Sequence, residues 1–332
     1  MHQPTSEQTR GALMLSSYIQ SQLACPYEHA AMVPSDDNRS LICGTCGRRF
    51  PIVDGIPILI NDQLSAFRIA DYVQSRAISS ESAMAPAPPR KMRLRRLLGA
   101  LTPNLSIRSS HFDAADALRH VAGSVAQPHI LVVGCGDVAF SGDGNPDVIY
   151  TDVQLSQTTQ IVCDAHSLPF QDESFDAVVG VAVLEHVADA RRCVDEIFRV
   201  LKPDGFVYAE TPFMQQVHLG AYDFARFTAT GHRRLFRQFS EIKSGIVGGP
   251  AMALAWSFEY FLASFSEKEL TRKILRSIAR LVAFPIKYLD RFLVGKRGAI
   301  DCASSFYFFG RKSSTVLSDR EIVEGYRGLN PK

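Results

Sequence analysis

The sequence predicts an open α/β fold with a largely parallel sheet and helices on both faces, preceded by a small β-rich unit. Three observations carry that expectation. An apolar run, Ile130-Leu131-Val132-Val133, ends in Gly134-Cys135-Gly136, as a buried parallel strand does when it feeds a tight turn. Further apolar segments each run into polar residues: Val148-Ile149-Tyr150 into Asp152, Ile161-Val162-Cys163 into Asp164, and 175–181 into Leu184-Glu185-His186. Far upstream, Cys43-Gly44-Thr45-Cys46-Gly47 is a C-x2-C knuckle, whose glycines allow two thiolates to face one metal.

With 332 residues the chain is long enough for two domains, or for one domain with appendages. A net charge of +2 demands no polyanionic partner. Residues 1–22 read as an N-terminal extension without the basic start and apolar centre of a signal peptide. Of seven cysteines, Cys135, Cys163 and Cys193 fall inside expected strands or a helix, which fits a reducing, cytoplasmic compartment. The longest apolar stretch, 246–265, is broken by Glu259 and opens on glycines and a proline, so a strand and a buried helix are expected there rather than a membrane span.

Residues 23–62 form the small unit. Cys25 and His29 lie upstream of Cys43 and Cys46, and the four together make a zinc site of three cysteines and one histidine. The alternative is that the apolar hairpin Pro51-Ile52-Val53-Asp54-Gly55-Ile56-Pro57 holds the unit without metal. Leu23-Ala24-Cys25-Pro26 and the stretch 48–59 resemble the small zinc-ribbon family whose members activate, or are fused to, methyltransferases. That family usually has a second cysteine where this chain has Glu28. His29 is next to it, and one residue of displacement is about 3.5 Å of chain, which a turn absorbs.

Residues 63–104 read as a linker with a basic segment. Ala85-Pro86-Ala87-Pro88-Pro89 is semi-extended, and Arg90-Lys91-Met92-Arg93-Leu94-Arg95-Arg96 alternates basic with apolar residues. Such a run is either a solvated face or a contact with a phosphate-bearing surface, membrane or nucleic acid. A short helix over 111–121 then leads into the main domain, 105–312.

In that domain, Val133-Gly134-Cys135-Gly136, Asp152, Asp164-Ala165-His166-Ser167-Leu168-Pro169-Phe170, Ser174-Phe175-Asp176, Leu184-Glu185-His186-Val187 and Leu201-Lys202-Pro203-Asp204-Gly205 follow one another in order. This series resembles the class I S-adenosylmethionine-dependent methyltransferases, and the resemblance implies a Rossmann-like sheet with helices on both faces. It implies that Gly134, Cys135 and Gly136 approach the methionine part of the cofactor and Asp152 the ribose. It also implies that Asp164 and Ala165 meet the adenine, with Leu184 and Glu185 bordering the site. Three features depart from the family. Val132 stands where an acid is usual, and Val138 where a third glycine is usual. The stretch Ser141-Gly142-Asp143-Gly144-Asn145-Pro146 is too rich in Gly and Pro for the usual helix. About twelve residues separate Asp152 from Asp164, too few for a second crossover helix.

Open α/β sheets bind ligands beyond the carboxyl ends of their strands, so the stretch after the fifth strand should overhang the crevice. This substrate-side insertion, about 212–300, begins with His218, Tyr222, Asp223, Arg226 and Thr228 within eleven residues. His218 is the candidate base for an acceptor hydroxyl, and Asp223 orients it or serves in its place. Arg226, by its planar fork, with Tyr222 and Thr228, forms the candidate acceptor contacts. His186 is expected to pack or hydrogen-bond near the cofactor. Further on, a helix is expected over 231–239 and a strand over 242–247. Ser266 to Glu269 reads as a capping box for a helix with Leu270, Ile274, Ile278 and Leu281 on one face and Arg272, Arg276 and Arg280 on another. That helix either packs on a sheet or lies on an anionic membrane. A late strand is expected over 304–309, and 313–332 reads as a loose polar tail.

The expected activity is S-adenosylmethionine-dependent O-methylation of a carbohydrate, lipid-linked or other small acceptor, with structural Zn2+ in the ribbon. The protein is expected in the cytoplasm, with peripheral contact at the inner face of an anionic membrane. The alternatives are an RNA methyltransferase, against which the near-neutral charge argues, and a non-catalytic partner protein of the same fold.

Overall fold

A computed structural model describes residues 13, 15–74, 102–136 and 147–329. The Pro-rich linker, the basic run at 90–98, Val138 and the Gly-rich stretch 141–146 lie outside the described residues.

The strands are β1 Met32–Pro34, β2 Ser40–Cys43, β3 Arg49–Val53, β4 Ile56–Leu59, β5 His129–Val133, β6 Asp147–Asp152, β7 Ile161–Cys163, β8 Phe175–Val181, β9 Leu201–Pro212, β10 Phe239–Gly248 and β11 Ser305–Lys312. They join in the order β1-β2-β3-β4-β7-β6-β5-β8-β9-β11-β10. Strands β5 to β9 pair in parallel, and β11 is antiparallel between β9 and β10. The chain order reverses at β5, between β6 and β8, which opens a crevice at the carboxyl ends of these strands.

Alternation along β5 explains the two layers of helices. Ile130 and Val132 point to one face, where helix α2, Ala114–Ser124, presents Ala117, Leu118 and Val121. Leu131 and Val133 point to the other, where α3, Ala190–Val200, presents Cys193, Val194 and Ile197. Leu131 is wholly buried, and its truncation to Ala is expected to cost about 2–5 kcal/mol. Each helix starts on an aspartate: Asp113 accepts from the Asp116 N–H and Asp189 from that of Arg192. As expected, no helix bridges β6 and β7.

The β-rich unit is built into the main sheet. Strand β4 pairs in parallel with the edge strand β7, Ile58 beside Val162 and Leu59 beside Cys163. Helix α1, Ser17–Gln22, buries Ile19 in the same core as Phe50 and Leu59, and the Tyr18 ring stacks on His129 at 3.6 Å. An edge strand with unpaired backbone groups is a liability, and the unit covers it.

Three expectations change. The box at Ser266 does not form: the helix Glu269–Ala283 has Lys268 at its N-cap, and the Ser266 hydroxyl accepts from the Lys268 N–H instead. That helix turns Ala279 and Ala283 inward, while Leu270 and Leu281 remain 73% and 60% exposed. The reason is Glu259, buried on the helix Pro250–Ala263, whose carboxylate needs a partner; Arg280 reaches it at 2.9 Å and Arg276 at 3.8 Å. Separately, Lys202-Pro203-Asp204-Gly205 forms a bulge within β9, with Asp204 at φ +63°. The tail is anchored by a helix, Asp319–Glu324, with Ser318 and Glu321 in a capping box and Ile322 buried. Among the described residues no helix is long and apolar enough to cross a membrane.

Candidate functional site

The crevice begins where β5 ends. Gly134 and Gly136 have φ of +64° and +53°, and a Cβ on Gly134 would overlap the Val183 side chain, so only glycine fits there. The Asp152 carboxylate ties this turn to β6, accepting from the Gly136 and Gln154 N–H groups at 2.8 Å each. Beside the turn lies a cavity of about 320 Å³ bordered by Gly134, Cys135, Val181, Asp113, Arg108 and Glu210. Glycines of this conformation beside such a cavity leave room for the amino-acid portion of S-adenosylmethionine, and the Asp152 carboxylate ends the neighbouring strand β6.

The adenine end is different. Asp164 is buried; its Oδ1 takes the His166 backbone N–H at 3.0 Å and faces His166 Nδ1 at 2.6 Å, while Oδ2 accepts from the Ser65 hydroxyl at 2.5 Å. Burial works against the carboxylate, but the His166 and Ser65 hydrogen bonds outweigh it and hold the group below the usual carboxylate range. Ser65 belongs to a segment, 61–74, that crosses from the β-rich unit over the ends of β6 and β7. Its Tyr72 hydroxyl donates to the Val153 carbonyl at 2.5 Å, and its Phe67 stacks on Tyr222 at 5.4 Å. Nothing in the sequence spacing pointed to Ser65 or Tyr72. Leu184, like Ala165, is buried in the core cluster.

On the acceptor side the structure brings Glu185, His186, His218 and Asp223 together. The two imidazoles meet Nε2 to Nε2 at 2.9 Å. Glu185 is wholly buried and neither of its oxygens has a hydrogen-bond partner; burial pushes its carboxyl up to about 7. Asp223 behaves in the opposite way: Arg226 clasps it, with one N–O contact of 2.7 Å, and holds it down to about 2. Asp223 therefore stays ionised at neutral pH and holds the His218 segment, whose backbone N–H it accepts at 3.0 Å.

Two expected acceptor contacts are corrected. The Arg226 guanidinium spends its donors on Asp223 and on the Gln215, Gln216 and Ala225 carbonyls, so it fixes the loop. Thr228 is the N-cap of the helix Ala229–Leu235 and accepts from the Gly231 N–H at 3.1 Å. Tyr222 is exposed at the crevice mouth.

In the β-rich unit the Cys25, Cys43 and Cys46 sulfurs converge within 4.8 Å of one another. Burial pushes the Cys25 thiol up to about 11, whereas the Arg48 backbone N–H and side chain draw Cys46 down to about 7. His29 does not join them. It sits at φ +50°, and burial and then the Arg199 charge lower its imidazole pKa, so the ring belongs to the contact with the main domain. Among the described residues, these three thiolates are the ones that would hold a structural zinc.

The comparisons with known proteins agree with these two halves. Residues 131–209 match the family described as methyltransferase domain, and residues 22–55 the family described as Trm112p-like protein. An Arabidopsis thaliana tRNA (carboxymethyluridine(34)-5-O)-methyltransferase is 33% identical over 91 residues, 24% of this chain and 22% of that protein. The mouse mitochondrial protein named arginine-hydroxylase NDUFAF5 is 27% identical over 169 residues, 50% of this chain and 49% of its own length. The chain thus spans about half or less of the length of these relatives. A solved complex containing the Haloferax volcanii Trm112 methyltransferase activator matches 61% of this chain and 90% of that one at 15% identity with a TM-score of 0.37, too slight a likeness to carry an argument.

Proposed function

From a chain that carries a class I methyltransferase fold joined to a Trm112p-like ribbon, we propose an S-adenosylmethionine-dependent methyltransferase acting on a hydroxyl of a carbohydrate, lipid-linked or other small acceptor. The observations that carry this reading are the glycine turn with its cavity at the end of β5 and the carboxylate and two histidines gathered beyond β8.

Bound S-adenosylmethionine supplies the electrophilic methyl group. Gly134 and Cys135 border its amino-acid portion and Asp152 its ribose. Its adenine meets Ala165 and shares or displaces the Ser65 bond to Asp164. The acceptor hydroxyl lies at Glu185, His186 and His218, where His218 takes the proton and Asp223, kept ionised by Arg226, holds His218 in place. The near-neutral charge favours a small acceptor, and the exposed stripe Leu270, Ile274, Ile278 and Leu281 favours one held at a membrane. Two of the three arginines expected to face that membrane are engaged with Glu259, so apolar contact is the stronger component.

RNA is the second reading, favoured by the similarity to a tRNA methyltransferase over 91 residues. Calorimetric titration with S-adenosylmethionine and its demethylated product tests what both readings share. Micromolar affinity, about −8 kcal/mol, is expected, and its loss in Gly134→Val. No heat with either ligand in folded protein would favour a non-catalytic partner instead.

A further inference from the structure

The structure assigns a divalent-cation site to Glu185, His186 and His218, at the mouth of the crevice beyond β8. Its use in catalysis rests on the reading above; its existence does not.

The ligand atoms of these three residues lie within 4.8 Å of one another. Their hydrogen-bond partners decide which ring nitrogens are bare. His186 Nδ1 faces the Tyr222 carbonyl at 2.8 Å, and a carbonyl only accepts, so Nδ1 carries the hydrogen and Nε2 the lone pair. His218 Nδ1 faces the Asp223 carboxylate and the Gln216 carbonyl, each at 3.4 Å, again two acceptors. Its Nε2 is therefore bare as well. Two lone pairs 2.9 Å apart repel unless a cation or an extra proton lies between them.

The ring geometry favours a cation. The ring centres are 4.6 Å apart and the planes cross at 82°. A head-on N–H···N bond of this length would put the centres about 5.2 Å apart. Two imidazoles bound side by side on a six-coordinate cation at about 2.1 Å have nitrogens about 3.0 Å apart and ring centres about 4.6 Å apart. Glu185 supplies the negative charge. Its side chain is 1% exposed, Oε1 is 3.7 Å from His186 Nε2, and neither oxygen has a hydrogen-bond partner; such a carboxyl either takes up a proton or sits beside a cation, and two bare imidazole nitrogens next to it supply the rest of a cation site. Both Nδ1 atoms are backed by an acceptor, and Asp223 is itself clasped by Arg226, as second-sphere partners hold ligating histidines.

Two imidazoles and one carboxylate select a first-row divalent ion such as Mn2+, Fe2+, Co2+ or Zn2+ over Mg2+ or Ca2+. The His218 side chain is 31% exposed, so the remaining coordination positions face the crevice. There the ion would bind the acceptor oxygen and lower its pKa; with His218 Nε2 held by the ion, the proton leaves to water rather than to His218 as the methyl group arrives.

The test uses full-length protein with its ribbon metal in place. Mn2+, which thiolates hold poorly, is titrated by electron paramagnetic resonance, and Co2+ by absorption. One Mn2+ per chain is expected with micromolar affinity, weakened at least tenfold by Glu185→Gln and by His218→Ala. Arg320→Ala, exposed on the last helix, is expected to leave it unchanged. Bound Co2+ should show weak visible bands without the intense thiolate absorption of the ribbon. No Mn2+ or Co2+ binding beyond the ribbon, or binding retained in the double variant His186→Ala/His218→Ala with unchanged circular dichroism, overturns the site. S-adenosylmethionine binding measured on the same samples separates the failures: cofactor binding without metal sinks only the cation, and metal without cofactor sinks only the methyltransferase reading.

Discussion

The ribbon and the crevice each gather three side chains able to hold a metal, by opposite routes. In the ribbon, Cys43 and Cys46 are three residues apart on one knuckle, and Cys25 joins them from the turn after α1. In the crevice, His186 and His218 are 32 residues apart and meet only because β8 and the stretch after β9 end side by side. A chelate made by local spacing belongs to the chain; one made by sheet topology belongs to the fold. The ribbon's metal should therefore matter first for stability, and the crevice's groups first for function.

Removing the ribbon metal gives the largest expected effect. Structural zinc contributes on the order of 10 kcal/mol in small zinc units, so Cys43→Ser or a strong chelator should release about one zinc per chain and expose 23–59 to hydrogen exchange. Protection in β7 should fall with it, because β4 pairs there. If protection survives, the buried Phe50, Ile58 and Leu59 hold the ribbon alone.

Gly134→Val is next. Both the left-handed backbone and the Val183 contact oppose any side chain, so cofactor affinity should fall about 100-fold, near 2.7 kcal/mol by calorimetry, with zinc content unchanged. Parallel loss of zinc would mean that the two regions are not separable.

Acid should separate them in a fixed order. Ribbon thiolates must be deprotonated to hold metal, so zinc should leave on mild acidification. Asp223 has a folded pKa near 2, below its unfolded value of about 3.9. Its contribution is thus fully present above about pH 4 and lost only as pH falls toward 2. Proton resonances of His218 should keep their dispersion after zinc has gone; simultaneous collapse contradicts this order.

Ser65→Ala should have the smallest effect. It removes one hydrogen bond to Asp164, about 1 kcal/mol of stability by denaturant titration, and changes cofactor affinity by no more than about threefold. A tenfold loss of affinity would mean that the Ser65 hydroxyl itself contacts the cofactor.

Legibility followed the same division. The parallel strands, the short helix near 111–121, the missing crossover helix and the C-x2-C knuckle were readable because each depends on neighbours in the chain. His29 was misread because spacing cannot show which way a ring points once a second domain packs on it. Arg226 and Thr228 were taken for acceptor contacts, since a sequence lists donors without their partners. Glu185 was expected beside the cofactor, but its lack of any hydrogen-bond partner and its meeting with two histidines emerge only from the packed structure. Ser65 and Tyr72 lie across the crevice because β4 docks on β7, a pairing with no signature in either segment.

The most direct test of the account is transfer of a radiolabelled methyl group from S-adenosylmethionine by the zinc-replete protein, with separate metabolite, glycolipid and RNA fractions as acceptors. The account predicts label in a metabolite or glycolipid fraction, lost in His218→Ala while cofactor binding persists. Label in the RNA fraction alone, or equal labelling by the variant, would contradict it.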